Sequence, residues 1–317
     1  MLSRTADNLY WLARYMERAE SAARLLRVGG RIAMLPDIGQ GVRTEWESLL
    51  RATGTADAFA RKYGEPVQRN LESHLFFDRD NTSSIAACMT RARENGRTVR
   101  TALTSQVWDA LNTAWDELRV LERTPRSDLT LDRLTEWTMR HTAMLRGAIE
   151  ATLLRNDGYD FLNLGYHLER ADNTARILDV KYYVLLPRAE FVGSGLDNVQ
   201  WTLLLQALSA QRAFHWACGG EVSAAKIADF LILNPQMPRS LVTCLRGLDA
   251  HLGRLASAYG RETPAHDQVR ALRADLEGRG IEAVFERGLH EFLTGFLRDV
   301  AALGGAIHDA YLSGEAR

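Results

Sequence analysis

Leu9, Leu12, Met16, Ala19, Ala23 and Leu26 recur at intervals of three and four, the spacing that stacks side chains on one face of an α-helix. The opposite face is not polar: Tyr10, Trp11, Ala22 and Leu25 occupy it. A helix apolar around most of its circumference belongs in the middle of an assembly rather than on its surface. A helical pattern also runs from Ser83, a candidate N-cap, towards Leu121, and another covers "LDRLTEWTMRHTAMLRGAIEATLLR". "NDGYD" (Asn156–Asp160) reads as a turn before a helix that ends at Pro187, with Leu162, Leu164, Tyr166, Leu168, Ile177 and Leu178 spread around it. Further helices are predicted at about 196–217, 221–232, 239–260, 264–278 and 283–312. Loops are expected at "PRSDLT" and at Gly193 and Gly195. Alternating β-branched runs are nearly absent, so the predicted class is all-α.

The chain also resembles itself. Glu17 laid on Glu169 is an offset of 152, and around it Leu12, Arg18, Ala19, Ala23, Arg24, Leu26 and Val28 meet identical residues. "EWESLLRATGTADAF" (Glu45–Phe59) then parallels "QWTLLLQALSAQRAF" (Gln200–Phe214), and "SIAAC" (Ser84–Cys88) parallels "SLVTC" (Ser240–Cys244). "RGAIEATLL" (Arg146–Leu154) parallels "GGAIHDAYL" (Gly304–Leu312), the offset having crept to 158. Four blocks in one order predict an internally duplicated helical bundle with pseudo-two-fold symmetry. Its repeats would be 1–157 and 158–317, sharing one core. The period far exceeds the roughly 20–50 residues of a solenoid repeat.

Within the two central helices, Glu17–Arg18 and Glu169–Arg170 place opposite charges side by side in sequence. Such neighbours point about 100° apart on a helix and do not face each other. Unpaired burial of a charge costs several kcal/mol, so each needs a partner elsewhere. A pseudo-two-fold axis offers Glu17 to Arg170 and Arg18 to Glu169, a pairing that the planar guanidinium fork suits. Two readings stay open: the quartet is structural glue, or it lines a polar cavity for a charged ligand, with Arg14, Tyr166 and Asn173 as neighbours. Glu20–Arg24 and Asp172–Arg176 read as ordinary i, i+4 salt bridges.

Composition narrows the chemistry. In 317 residues, 46% hydrophobic and 25% charged with a formal net charge of −1, nothing marks a nucleic-acid footprint. The least charged long stretch is broken by Asp197, so no membrane span is expected, and the N-terminus lacks a signal-peptide pattern. Cys88, Cys218 and Cys244 lie far apart, which fits a reducing compartment such as the cytoplasm. Asp78, Arg79, Asp80 and Asn81 make a poor calcium loop, because Ser83 and Met89 fall where glycine and glutamate are needed. Asp80 and Asn81 are expected to cap the following helix, the alternative being a partner-docking loop. The eight histidines form no HExxH or ExxH pattern, and His215 with Cys218 supplies only two ligands, so no metal site is expected. His167 reads as a core or boundary histidine. Neither "DIGQGVR" nor Gly193–Gly195 makes a phosphate loop.

"MLSRTADNLYWLARYMERAESAARLL", "LFFDRDNTSSI" and "DGYDFLNLGYHLERADNTARILD" together resemble the alpha-E family, bacterial helical proteins named for an ER motif. The resemblance spans both halves. It implies an all-helical fold, a cytoplasmic setting, and genomic company with ATP-grasp ligase-like proteins and transglutaminase-like peptidases. It further implies a part in ATP-dependent amide or peptide bond formation, with ATP and magnesium on the partner. No catalytic residue is carried over; only the motif is, onto Glu17, Arg18, Glu169 and Arg170. The expected function is therefore a non-catalytic accessory protein of such a ligase. The alternative is an enzyme or binding protein with a polar site at the seam between the repeats.

Overall fold

A computed structural model describes residues 1–34, 42–185, 195–219 and 222–314, and every regular element among them is helical. The first half comprises α1 (Ser3–Ile32), α2 (Val42–Ala52), α3 (Ala56–Tyr63), α4 (Gln68–Glu72), α5 (Ile85–Thr98), α6 (Ser105–Arg123) and α7 (Leu131–Thr152). The second comprises α8 (Asp157–Leu185), α9 (Gly195–Ala207), α10 (Gln211–Cys218), α11 (Ala224–Ile232), α12 (Leu241–Tyr259), α13 (Pro264–Glu277), α14 (Ile281–Arg287) and α15 (Leu289–Ile307). None of these is long and apolar enough to cross a membrane.

α1 and α8 form the centre. They lie side by side and run in the same direction: the Met1 ammonium meets Asp157 at 2.8 Å, and further along Glu17 meets Arg170. Both faces of α1 are buried, Leu9, Leu12, Ala19 and Leu26 on one and Tyr10, Ala22 and Leu25 on the other. α5 and α7 pack on α1, and α12 and α15 pack on α8. The next elements are exchanged: α2 lies mainly against α8, and α9 lies more against α1 than against α8. One continuous apolar core draws on both halves of the chain.

Several sequence expectations need correcting. The pattern from Ser83 to Leu121 is two helices, not one. Val99 leaves the helical region, a single tight turn spans Arg100–Ala102, and Thr104 caps α6 by accepting from Val107 N at 3.3 Å. The apolar period reads through this corner because Val99 and Leu103 are buried inside it. α5 is capped by Ser84, whose hydroxyl accepts from Ala87 N, and not by Ser83, Asp80 or Asn81. α8 begins within the expected turn, where Asn156 Oδ1 accepts from Gly158 N at 3.1 Å. The helix expected at 196–217 breaks at Ser209, which has a φ of 54°, and that at 283–312 breaks at Gly288, with a φ of 93°. α2, α3 and α4 went unread. Pro187, Gly193 and the Gly39–Gly41 pair lie outside the described residues.

Two glycines set the helix spacing. A Cβ on Gly165 of α8 would lie 2.2 Å from the Tyr10 carbonyl oxygen of α1, and one on Gly29 would lie 2.4 Å from the Trp46 ring. Gly165 therefore fixes how closely the central pair can approach. Gly165→Ala is expected to destabilise the protein by about 1–3 kcal/mol or more, because backbone must move. Gly147→Ala, on an exposed turn of α7 with nothing within 4 Å, is expected to stabilise by up to ~1 kcal/mol. Urea unfolding of the two variants beside the parent checks both signs.

Candidate functional site

The close approach of α1 and α8 brings four charges of the ER pairs together across the helix interface. Arg14 and Arg18, one turn apart on α1, both reach Glu169 of α8. Arg14 Nε donates to Oε2 at 2.7 Å, and Arg18 Nε and Nη2 donate to Oε1 and Oε2 at 2.6 and 3.0 Å. Glu169 is buried. Burial alone would raise its pKa, yet the two guanidiniums hold it below the ordinary carboxylate range.

Glu17 is served in the same way by different residues. Arg170 Nε and Nη2 hold its two oxygens at 3.1 and 2.9 Å. The second guanidinium comes from Arg239, immediately before Ser240, the N-cap of α12, and donates to Glu17 Oε1 at 2.8 Å. Arg239 also reaches Glu20, to which Arg24 donates through Nε and Nη2 at 3.0 and 2.7 Å. Arg239, Arg24 and Arg170 overcome the burial of Glu20 and hold its pKa at about 2. Arg24 Nη1 in turn donates to the Ala207 carbonyl at the end of α9 at 2.5 Å.

This second network opens on a pocket of about 510 Å³. Its polar side carries Glu17, Glu20, Arg24, Arg146, Arg170 and Arg239. Met16, Leu145, Ile149, Leu208, Met237 and Pro238 supply apolar wall. Tyr166 stands between two guanidiniums, with Arg146 3.6 Å and Arg170 3.9 Å from its ring centroid. Four arginines face two carboxylates, and burial pushes the pKa of Arg24, Arg146 and Arg170 below the ordinary arginine value. A smaller pocket of about 310 Å³ lies beside the Glu169 network, lined by Tyr10, Trp11, Arg14, Asp172, Gly304 and His308.

The cross-helix pairs Glu17–Arg170 and Arg18–Glu169 are thus present, and Arg14 joins one of them. Tyr166 joins the other as a stacking surface. Asn173 is buried, but its Nδ2 has no hydrogen-bond partner among the described residues and it lines neither pocket. Glu20–Arg24 is not an ordinary surface salt bridge; both residues sit inside the network. Asp172–Arg176 is an i, i+4 pair at 2.7 Å. The Asp78–Asn81 loop is tied locally. Asp78 accepts from Lys62 and Tyr63, Asp80 from Lys62, Arg79 binds Glu122, and Asn81 donates to the His74 carbonyl. Arg146 and Arg239 were missed by the sequence reading. The available signal was the set of places where the parallel blocks disagree: Arg146 lies over Gly304, and Arg239 over Ser83.

The family profile described as Alpha-E, "a predicted alpha-helical domain with a conserved ER motif", matches residues 1–312. The chain belongs to the Alpha-E family. Among curated relatives, uncharacterized proteins of Mycobacterium bovis and of two Mycobacterium tuberculosis strains are each 25% identical over 324 aligned residues. The alignment covers 94% of this Alpha-E chain but only 36% of each relative, so the chain spans about a third of their length. No solved structure matches. In this Alpha-E chain the two ER pairs supply four of the charges that meet between α1 and α8, and Arg14 adds a fifth. Beneath them lie Cys88 and Cys244, both fully buried, whose thiols burial pushes up to about 12. Among the described residues no cluster of His, Cys, Asp or Glu is arranged to hold a metal.

Removing the charge of Glu17 leaves the buried Arg170 without its carboxylate and Arg239 with Glu20 alone, so Glu17→Gln is expected to cost about 3–5 kcal/mol. Arg239→Gln should cost less in that background than in the parent, because only its bond to Glu20 is then lost, leaving a coupling of about 1–3 kcal/mol between the two changes. A denaturant double-mutant cycle measures it, and additive costs would contradict the shared network. An exchange of Glu17 with Arg170 is not expected to be neutral, because the guanidinium moved onto α1 would then face Arg239.

His167 packs against Gly247 and the His251 ring. Burial, His251 and Arg146 push its pKa down to about 3. The unfolded chain binds this proton near 6.5 and the folded chain only near 3, so the stability contribution is complete above 6.5 and lost as pH falls towards 3. Equilibrium unfolding from pH 7 to pH 4 is expected to show a slope that His167→Gln reduces by up to about 1.4 kcal/mol per pH unit.

Proposed function

We propose that this chain is a non-catalytic helical accessory protein, built by internal duplication, that works beside an ATP-grasp-type amide or peptide ligase in a bacterial cytoplasm. ATP and magnesium would be bound by the ligase, and a transglutaminase-like peptidase is a further candidate partner. The accessory reading rests on the relatives: their alignment with this chain accounts for 36% of their length, so this fold also occurs as one part of a much longer polypeptide. A rigid central seam suits such a part, since it fixes the orientation of the surrounding helices.

Position-matched details support the duplication about a pseudo-two-fold axis. Ser84 and Ser240 cap α5 and α12. Cys88 and Cys244 lie under Arg18 and Arg170. Trp46 and Trp201 are both buried, as are Phe59 and Phe214. The repeats 1–157 and 158–317 are then halves of one body rather than separable domains.

The pocket beside Glu17 favours a second reading, in which the accessory role includes binding a small charged molecule at the seam. Affinity capture of the tagged chain from its native host at moderate salt tests the first. Recovery of an ATP-grasp-type ligase in near-stoichiometric amount is the expected result. Recovery of the chain alone would overturn the accessory reading and leave the binding reading standing.

A further inference from the structure

On the binding reading of the seam pocket, the geometry points to a specific ligand class: a small organic carboxylate with an apolar body, gripped by Arg146 and Arg170 on either side of Tyr166. Three observations converge on it. The first is unused hydrogen-bonding capacity. Arg170 turns Nε and Nη2 to Glu17, leaving Nη1 without a protein acceptor among the described residues. Arg146 turns Nη2 to Asn163 at 2.7 Å and to Glu150 at 3.0 Å, and its Nε and Nη1 have no acceptor there either. Two guanidinium edges that flank one ring can both engage a planar carboxylate.

The second is charge. Four arginines and two carboxylates, Glu17 and Glu20, make up the charged wall, so an anion entering the pocket meets a net positive surface. Those same carboxylates in the lining repel a second negative charge, which favours a monoanionic carboxylate over a phosphate dianion. Met16, Leu145, Ile149 and Met237 in the same lining call for an apolar body, and about 510 Å³ is within the usual range for a small-molecule site.

The third is the contrast with the pocket beside Glu169. There, Arg14 stands at the position matched to Tyr166, Gly304 at that of Arg146, and the block position of Arg239 holds Ser83. Two of the three residues of the grip, Tyr166 and Arg146, thus differ from their matched positions, and so does Arg239 beside them. A frame needed only to pair the central glutamates has no use for Arg146, which touches neither of them.

The test uses full-length protein carrying ¹³C-methyl methionine, because Met16 and Met237 line the pocket; Met16→Leu and Met237→Leu assign their signals. The probes are 3-phenylpropionate, its neutral amide and inorganic phosphate. The carboxylate is expected to shift both methyl signals saturably, with the amide at least tenfold weaker. Arg146→Gln should weaken the carboxylate at least tenfold while the remaining methionine signals hold their positions, and Arg146→Lys should restore part of the loss. Equal binding of amide and carboxylate would overturn the ligand class while leaving a binding pocket. Tighter binding of phosphate would overturn it in favour of an inorganic oxyanion. If no probe moves Met16 or Met237, the pocket reading itself falls.

Discussion

Glu17 and Glu169 are carboxylates held out of water at the middle of the molecule. A buried carboxylate stays ionised only where opposing charge and hydrogen-bond donors replace its hydration. Here each has two arginines, and the supply of those arginines explains much of the architecture. Arg14 and Arg18 reach Glu169 because they lie one turn apart on α1 and because Gly165 lets α8 approach the backbone at Tyr10. Arg239 reaches Glu17 only if the start of α12 is placed correctly, and Arg24 carries the same network on to the end of α9. The electrostatic demand of two side chains therefore positions helices far apart in sequence.

The two networks solve the same problem with different parts. On one side both guanidiniums come from the central helix itself. On the other, the place matched to Arg14 is Tyr166, and the second guanidinium is borrowed from outside the central pair. That substitution leaves a flat aromatic surface between two arginines and a cationic wall around it. The proposed duplication supplies the frame, and the departures from it supply the chemistry.

The apolar period was strong enough to read the central helices, their burial and the all-α class from the chain alone. The cross pairing of the ER residues was legible too, because a buried charge in an all-apolar helix has few partners to choose from. Corners were not legible: Val99 and Leu103 are buried within a break, so the pattern runs through it without a mark. Arg146 was hidden for another reason. Arginine at a helix surface is commonplace, and only the packing of α7 beside the central helices turns this one towards Tyr166. Glu20 and Arg24 look like any i, i+4 pair until Arg239 is brought to them from 219 residues beyond Glu20.

The exchange of α2 and α9 between the central helices bears on how the chain acquires its structure. Half of the molecule, as it leaves the ribosome, holds Arg14 and Arg18 without Glu169, and Glu17 without either of its guanidiniums. It also holds an α2 whose main packing surface has not yet been made. Contacts of such long sequence separation slow folding, since the loop between them must close before they contribute. The first half can bring α5 and α7 onto α1 as it is made, but the main packing surface of α2 and the partners of Glu17, Arg14 and Arg18 arrive only with the second half.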